Sequence, residues 1–340
     1  MSMDANTIKK IQNPHILGAF AKAIGYLDTD KNISVSISGG SDSDVVMDFI
    51  TRCGIKDKVK FVFFDTGLEY QATKDHLDYL ENRYGVEINR IKSYMSVPVT
   101  CKRYGIPFIS KFISDKIERL QTHGFKFEDK PYEELLKEYP NCKSAIRWWC
   151  NDFDMRSWCI SYKKLLKEFM IENPPDFRIS AKCCYYAKKK TAETFHIKNN
   201  TEMDITGLRK AEGGVRSTAY KSCYSSKNRG PDNYRPIWWF SDKDKSDYCK
   251  LYDIKNSRAY TEYGFRRTGC TCCPFGLNME FELKQTERYE PKLFRAVNSV
   301  FGKSYEYTRK YYEFRREREN EMIRSNLKTK SILEYEKVIE

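Results

Sequence analysis

Ser36-Ile37-Ser38-Gly39-Gly40-Ser41-Asp42-Ser43-Asp44-Val45-Val46 is the stretch on which the reading of this chain turns. Before it, Asn32-Ile33-Ser34-Val35-Ser36-Ile37 alternates apolar and small polar residues, as a strand does. After it, Val45-Val46-Met47 and Phe49-Ile50 follow helical spacing to about Arg52, and Gly54 can end the helix. A strand feeding a glycine turn that opens a helix presents backbone N–H groups and the positive end of the helix dipole to an anion. Gly39 and Gly40 allow close approach, and Ser38, Ser41 and Ser43 add hydroxyls. The stretch is therefore expected to cradle phosphate. It lacks the G-x-x-x-x-G-K-[ST] pattern of kinases and GTPases, and a serine-capped tight turn is the alternative.

Outward from this loop, Lys58–Phe64 is apolar enough for a buried parallel strand and ends in Asp65-Thr66-Gly67-Leu68-Glu69. A helix is expected over Gln71–Tyr84, then a short strand over Val86–Ile91. This alternation predicts an α/β fold: a doubly wound, mainly parallel sheet with helices on both faces. Ligands there bind beyond the carboxyl ends of the strands, so Asp65, Thr66, Gly67 and Glu69 join the candidate site. Asp65 suits a ribose, an adenine amino group or Mg²⁺ equally. An opening helix is expected over Pro14–Asp28, capped by Asn13.

From Ser93 to Pro175 the pattern is helical, with one helix introduced at Tyr104-Gly105-Ile106-Pro107 and formed by Lys111–Gly124, and another over Tyr132–Tyr139. Adjacent Trp148 and Trp149 are rarely both core residues, so Arg147-Trp148-Trp149 reads either as a packing anchor or as an anion ligand beside a stacking platform. A fourth strand, Met203–Thr206, leads into Gly207-Leu208-Arg209-Lys210-Ala211-Glu212-Gly213-Gly214-Val215-Arg216. Here Gly207 permits close approach while Arg209 and Arg216, with Glu212, form an anion clamp; a solvated loop is the alternative. Residues 234–252 read as a turn into a short helix, and 280–340 as helical. The expected organisation is an N-terminal helix over 1–29, a nucleotide-binding domain over 30–235 with a helical insertion at about 93–175, and a cysteine-containing, helical C-terminal region over 236–340 packed on it.

The formal charge of +13 is concentrated: Lys182–Arg229 holds 11 basic and 4 acidic residues. Besides basic solvated faces, this suits an anionic partner, either nucleic acid or phosphorylated small molecules. No apolar run approaches the ~20 residues of a membrane span, and Met1–Thr7 lacks the layout of a secretion signal. A soluble, cytoplasmic protein without a membrane partner is expected.

Twelve cysteines in a reducing compartment are not expected to pair as disulfides. Cys53, Cys101, Cys142, Cys159, Cys223 and Cys249 read as ordinary thiols, and Cys150 is undecided. Cys183-Cys184, then 85 residues, then Cys270-x-x-Cys273 supplies four thiolates. These suit tetrahedral Zn²⁺ or a [4Fe–4S] cluster, and adjacent cysteines fit the several irons of a cluster better than one ion. Cys272 then points elsewhere or replaces one of them.

The S-G-G-x-D-S loop resembles that of the PP-loop ATP pyrophosphatases, which split ATP into AMP and pyrophosphate. Together with Asp65–Glu69, Ile205-Thr206-Gly207-Leu208-Arg209 with Glu212 and Arg216, and Cys-Cys…Cys-x-x-Cys, it resembles the PAPS reductase family over most of residues 30–280. That resemblance implies an adenine nucleotide alpha-hydrolase-like fold, an arginine segment on the nucleotide's phosphate or sulfate, and a [4Fe–4S] cluster on Cys183, Cys184, Cys270 and Cys273. Two departures matter. Reductases of the family resemble one another in a nucleophilic cysteine near the C-terminus, and no cysteine follows Cys273 here. Their loops are degraded, whereas this one is intact. The expectation is an ATP- and Mg²⁺-dependent adenylyl-transferring enzyme with Asp42, Arg209 and Arg216 as catalytic residues, activating DNA or tRNA for sulfur incorporation. A sulfur-donor protein such as a cysteine desulfurase is a further expected partner. Alternatives are a sulfonucleotide reductase and a non-catalytic nucleic-acid-binding protein with a structural cysteine site.

Overall fold

Strand β1 (Ile33–Ser36) sends Ile33 and Val35 to one face of a sheet and Ser34 and Ser36 to the other. The apolar pair joins a core with Phe20, Val46, Phe49, Leu77 and Ile205. Both serines donate to Asp204 Oδ1 at 3.0 Å. The computed structural model to which these elements belong describes residues 10–213 and 218–339.

The chain alternates through α1 (Pro14–Leu27), β1, α2 (Ser41–Arg52), β2 (Val59–Asp65), α3 (Gln71–Tyr84) and β3 (Ile88–Lys92). Asn13 caps α1 with its side-chain oxygen, and Pro14 takes the first helical position, where its missing N–H costs nothing. After the inserted helices the chain returns through α4 (Lys190–Lys198) to β4 (Met203–Thr206), then β5 (Tyr224–Ser225) and β6 (Asp232–Tyr234). The order is β3-β2-β1-β4-β6-β5, parallel throughout except between β5 and β6. Phe61 and Phe63 face the core that holds Phe49 and Leu77, whereas Phe64 meets Phe195 of α4 edge-on at 5.9 Å. Helices therefore cover both faces of a doubly wound, mainly parallel sheet. The first winding runs outward from β1 to β3 and the return places β4 on the other side of β1, so the strand order reverses at β1. Helices α5 (Asp242–Leu251), α6 (Arg258–Thr261) and α7 (Met279–Tyr289) follow, and the C-terminal region is helical over Pro291–Ile339.

The chain divides into two units. The first holds 1–100, 183–272 and 278–297, and so contains the whole sheet. The second holds 101–182, 273–277 and 298–340. In the second unit the expected helix start at Tyr104 is corrected. A helix over Val97–Tyr104 ends there; Ile106 then donates to Arg178 O and Ser180 to Ile106 O, and the next helix starts at Lys111 under a Ser110 cap. Main-chain pairing with residues 178–180 takes the chain out of the helix. Trp148 and Trp149 are both buried, the latter donating Nε1–H to Glu128 O at 2.8 Å among Phe125 and Phe127. Arg147 pairs with Asp152 at 2.9 Å. The tandem indoles are a packing anchor and offer no stacking platform. Among the described residues, no helix is long and apolar enough to cross a membrane.

Candidate nucleotide site

The turn from β1 to α2 is built from short contacts. Ile37 continues the ladder by donating to Val62 O, and Gly39 then takes φ +65°. A Cβ there would stand 2.7 Å from Thr73 Cγ2, so both conformation and space select glycine. Gly40 caps α2 in an extended conformation. Ser43 closes the first turn: its Oγ donates to Gly40 O at 2.7 Å and accepts from Gly40 N–H at 3.2 Å. Ser38 Oγ lies 3.3 Å from Ser43 Oγ. Gly207, at the end of β4, backs directly onto this turn, where an added Cβ would lie 2.9 Å from the Asp42 carbonyl and 3.0 Å from Ser43 N. Thus the two strands flanking the switch point present interlocked loops.

Asp42 sits between two cations. Its Oδ1 accepts from Arg209 Nε at 2.8 Å and lies 2.8 Å from Lys245 Nζ. Arg209 is buried and also donates to Asp242 Oδ1 at 3.0 Å and Phe240 O at 3.3 Å. Burial opposes its charge, but Asp42 and Asp242 more than offset this and hold its pKa above the ordinary value. Lys245 Nζ also donates to Ser41 Oγ at 2.6 Å. A carboxylate oxygen held by two cations does not fit a hard dication at that same atom. Asp44, one turn into α2, is buried against His76, with Oδ2 to Nε2 at 2.9 Å. Burial raises its pKa against the pull of His76.

Opposite the start of α2, Tyr260 of α6 accepts the Ser41 N–H at 3.3 Å and lies 3.1 Å from Thr268 Oγ1. Tyr260 and Thr268 border Gly40, 3.3 and 3.1 Å from where a Cβ would be.

At the end of β2, Asp65 accepts the Gly67 N–H at 2.8 Å, tightening the turn. Thr66 donates from Oγ1 to Glu69 Oε1 at 2.6 Å and lies 3.4 Å from Cys270 Sγ. The segment carrying Cys270 docks on this turn, since Thr271 donates to Leu68 O from both N (2.8 Å) and Oγ1 (3.0 Å). Burial raises the Cys270 thiol; Lys188 opposes it, and Glu69 and Cys184 add to it. Burial likewise raises Glu69, with Thr66 and Lys188 opposing.

Cys184 and Cys270 are both half-buried. Cys183 is buried beside Cys184. Cys272 turns away: its Sγ lies 3.1 Å from Thr286 Oγ1 and 3.9 Å from Tyr70 OH, and burial pushes it up to about 11. Cys273 begins the short 273–277 segment of the second unit and accepts the Gly276 N–H. Among the described residues, no three Cys, His, Asp or Glu side chains are gathered to hold a metal ion.

Glu212 accepts the Arg209 N–H at 3.2 Å, so the expected clamp is in part a self-stabilised turn. Arg216 and Gly214 lie outside the described residues. Sequence reasoning missed Lys245, Tyr260, Thr268 and the Asp44–His76 pair. Asp44 carried a signal within the loop motif, but nothing near Lys245 or Tyr260 marks them as neighbours of residue 41.

Residues 32–141 match the family model of the phosphoadenosine phosphosulfate reductase domain. An uncharacterized protein of Methanocaldococcus jannaschii is 25% identical over 294 residues, which span 82% of this chain and 44% of that relative. The chain thus spans less than half the length of the curated relative it matches. Among solved structures it is similar to a phosphoadenylyl-sulfate reductase from Candida auris in complex with phosphate, at 13% identity and TM-score 0.41, covering 79% of this chain and 97% of that one. It is also similar to the U34-tRNA thiolase NcsA of Methanococcus maripaludis with its [4Fe–4S] cluster, at 12% identity and TM-score 0.38, covering 91% and 78%. The FMN adenylyltransferase of Candida glabrata with FAD and pyrophosphate matches at 11% identity and TM-score 0.42, covering 83% and 79%. The stretch that matches the phosphoadenosine phosphosulfate reductase domain, residues 32–141, is the one that holds β1, the glycine loop and the turn at Asp65–Glu69.

Proposed function

We propose that the chain is an ATP-dependent enzyme that forms AMP and pyrophosphate while activating an oxygen of DNA or tRNA for replacement by sulfur. The observation that carries ATP use is the loop at α2, where glycine, serine hydroxyls and backbone N–H groups converge beside Arg209 and Lys245. A substrate oxygen attacks the α-phosphorus, the α–β bridging P–O bond breaks, and pyrophosphate leaves onto the loop. Donors already in place stabilise the charge that develops on the leaving group. A persulfide sulfur from a donor protein such as a cysteine desulfurase then displaces AMP, and a second thiol of the donor attacks the resulting S–S bond, frees the thio product and leaves the donor as a disulfide.

Ser38, Gly39, Gly40, Ser41 and Ser43 hold the pyrophosphate, while Asp42 organises the cations beside it. Asp65, Thr66, Gly67 and Glu69 border the nucleotide at the end of β2, and Gly207, Arg209, Glu212 and Arg216 border it after β4. Mg²⁺ enters with the nucleotide's phosphates. Cys183, Cys184, Cys270 and Cys273 would hold a [4Fe–4S] group, which would supply sulfur binding or brace the site. The neighbouring lysines support a polyanionic acceptor, since Lys188 and Lys189 are exposed just after Cys184.

A second reading, reduction of PAPS or adenylyl sulfate, is favoured by the family of residues 32–141. Products decide between them. Anaerobically purified protein given ATP and nucleic acid is expected to release AMP and pyrophosphate. ADP and orthophosphate would overturn the proposal, and sulfite from PAPS without use of ATP would establish the reductase.

A further inference from the structure

We propose that Lys245 is the residue that grips the leaving pyrophosphate, and that Arg209 acts as a positioning residue for Asp42. This rests on the ATP reading above and assigns the cation of that site.

The two cations on Asp42 are held differently. Arg209 is buried and divided among Asp42, Asp242 and Phe240 O, three acceptors that fix its fork in one place. Moving it to a ligand would break three bonds at once, whereas Asp42 would keep only Lys245 and Asp242 would return to water. Lys245 is half-buried on α5, and its two hydrogen-bonding partners, Ser41 Oγ at 2.6 Å and Asp42 Oδ1 at 2.8 Å, both belong to the loop. An ammonium has three protons to donate. Two are directed at these acceptors, and a phosphate oxygen that displaces the Tyr260 hydroxyl from the Ser41 amide comes beside the residue Nζ already holds and can take the third.

The same charge reaches deeper. Lys245 is among the groups that pull down the pKa of Asp44, whose Oδ1 is buried without a hydrogen-bond partner. When the α–β bridging bond breaks, negative charge grows on the departing β-phosphate, and a flexible ammonium can follow it where a tethered guanidinium cannot.

The test uses the full chain and inorganic pyrophosphate as the probe, measured by calorimetry beside ATP–pyrophosphate exchange with nucleic acid present as the adenylyl acceptor. Lys245→Met keeps the length of the side chain and should weaken pyrophosphate binding by about 30-fold or more, with a similar fall in the exchange rate. Lys245→Arg, which keeps the charge, should recover most of both, whereas Lys245→Gln should not. Pyrophosphate bound by Lys245→Met as tightly as by wild type overturns the assignment, and so does failure of Lys245→Arg to recover more than Lys245→Gln. If wild type itself binds no pyrophosphate and shows no exchange, the ATP reading has failed and this assignment with it.

Discussion

Gly207 leaves no room for a methyl group. A Cβ at this position would meet the backbone of Asp42 and Ser43 at 2.9–3.0 Å, and backbone cannot swing aside as a side-chain tip can. Gly207→Ala should therefore push the loop away from β4, costing about 1–3 kcal/mol in stability and abolishing pyrophosphate binding. Thermal unfolding and calorimetry check both parts. Around the cysteines, Cys270 lies against Thr66 while Cys272 is committed to Thr286 and Tyr70. Anaerobically purified protein is expected to hold about four irons per chain. Cys184→Ser or Cys270→Ser should remove them, whereas Cys272→Ser should leave them in place; iron and sulfide analysis with absorption spectra decides. The loop was legible from sequence because Ser38, Gly39, Gly40, Ser41 and Ser43 answer local demands: positive φ, close approach, or a hydroxyl at a helix start. Lys245 was not legible, because its role depends on α5 returning to residues some two hundred positions earlier, which no local pattern encodes.

Helix α7 with the residue that ends it turns Glu282, Thr286 and Glu290 toward the first unit's core. Glu290 accepts the Gln71 and Ala72 N–H groups at 2.8 and 3.2 Å, placing a carboxylate on the N-terminus of α3. Thr286 holds Cys272. Burial pushes Glu282 up to about 7 from an ordinary 4.5, with Arg267 opposing. The folded chain thus keeps this proton over about pH 5–7, where the unfolded chain has released it. Stability from this group is present below that window and is lost as pH rises through it, by about 1–2 kcal/mol after solvent screening. Glu282→Gln should flatten the fall in unfolding midpoint between pH 5 and pH 8, while an unchanged slope would assign it elsewhere. Among the elements, Gln71–Tyr84 and Met203–Thr206 carry clear periodicity, and both form over those residues. By contrast, β5 and β6 have two and three residues, too few for any period to register, and they form because β4 offers an edge. The helix over Val97–Tyr104 was hidden by Pro98 and Gly105, which read as breaks although proline is tolerated in a first helical turn.

For the molecule as a whole, charge makes the clearest demand. Binding to DNA or tRNA should weaken steeply with salt, and Lys189→Ala should lower the slope of log K against log salt by about one. Lys188 differs, since its charge reaches Glu69 and Cys270; Lys188→Ala should also alter the cysteine site. Salt-independent binding would remove nucleic acid as the acceptor. The sheet order also sets a timetable. Strand β1 pairs on one side with β2, which follows it closely, and on the other with β4, whose Met203 stands opposite Ile33. As the chain leaves the ribosome, β1, β2 and β3 are complete long before β4 exists. At ordinary rates of synthesis the wait is roughly 5–20 s. Throughout it, β1 offers a bare edge of N–H and C=O groups to any other nascent strand. The last pieces of this unit arrive later still, at residues 278–297. Yield in a cell should therefore respond to translation speed and chaperone supply more than the stability of the finished fold would suggest.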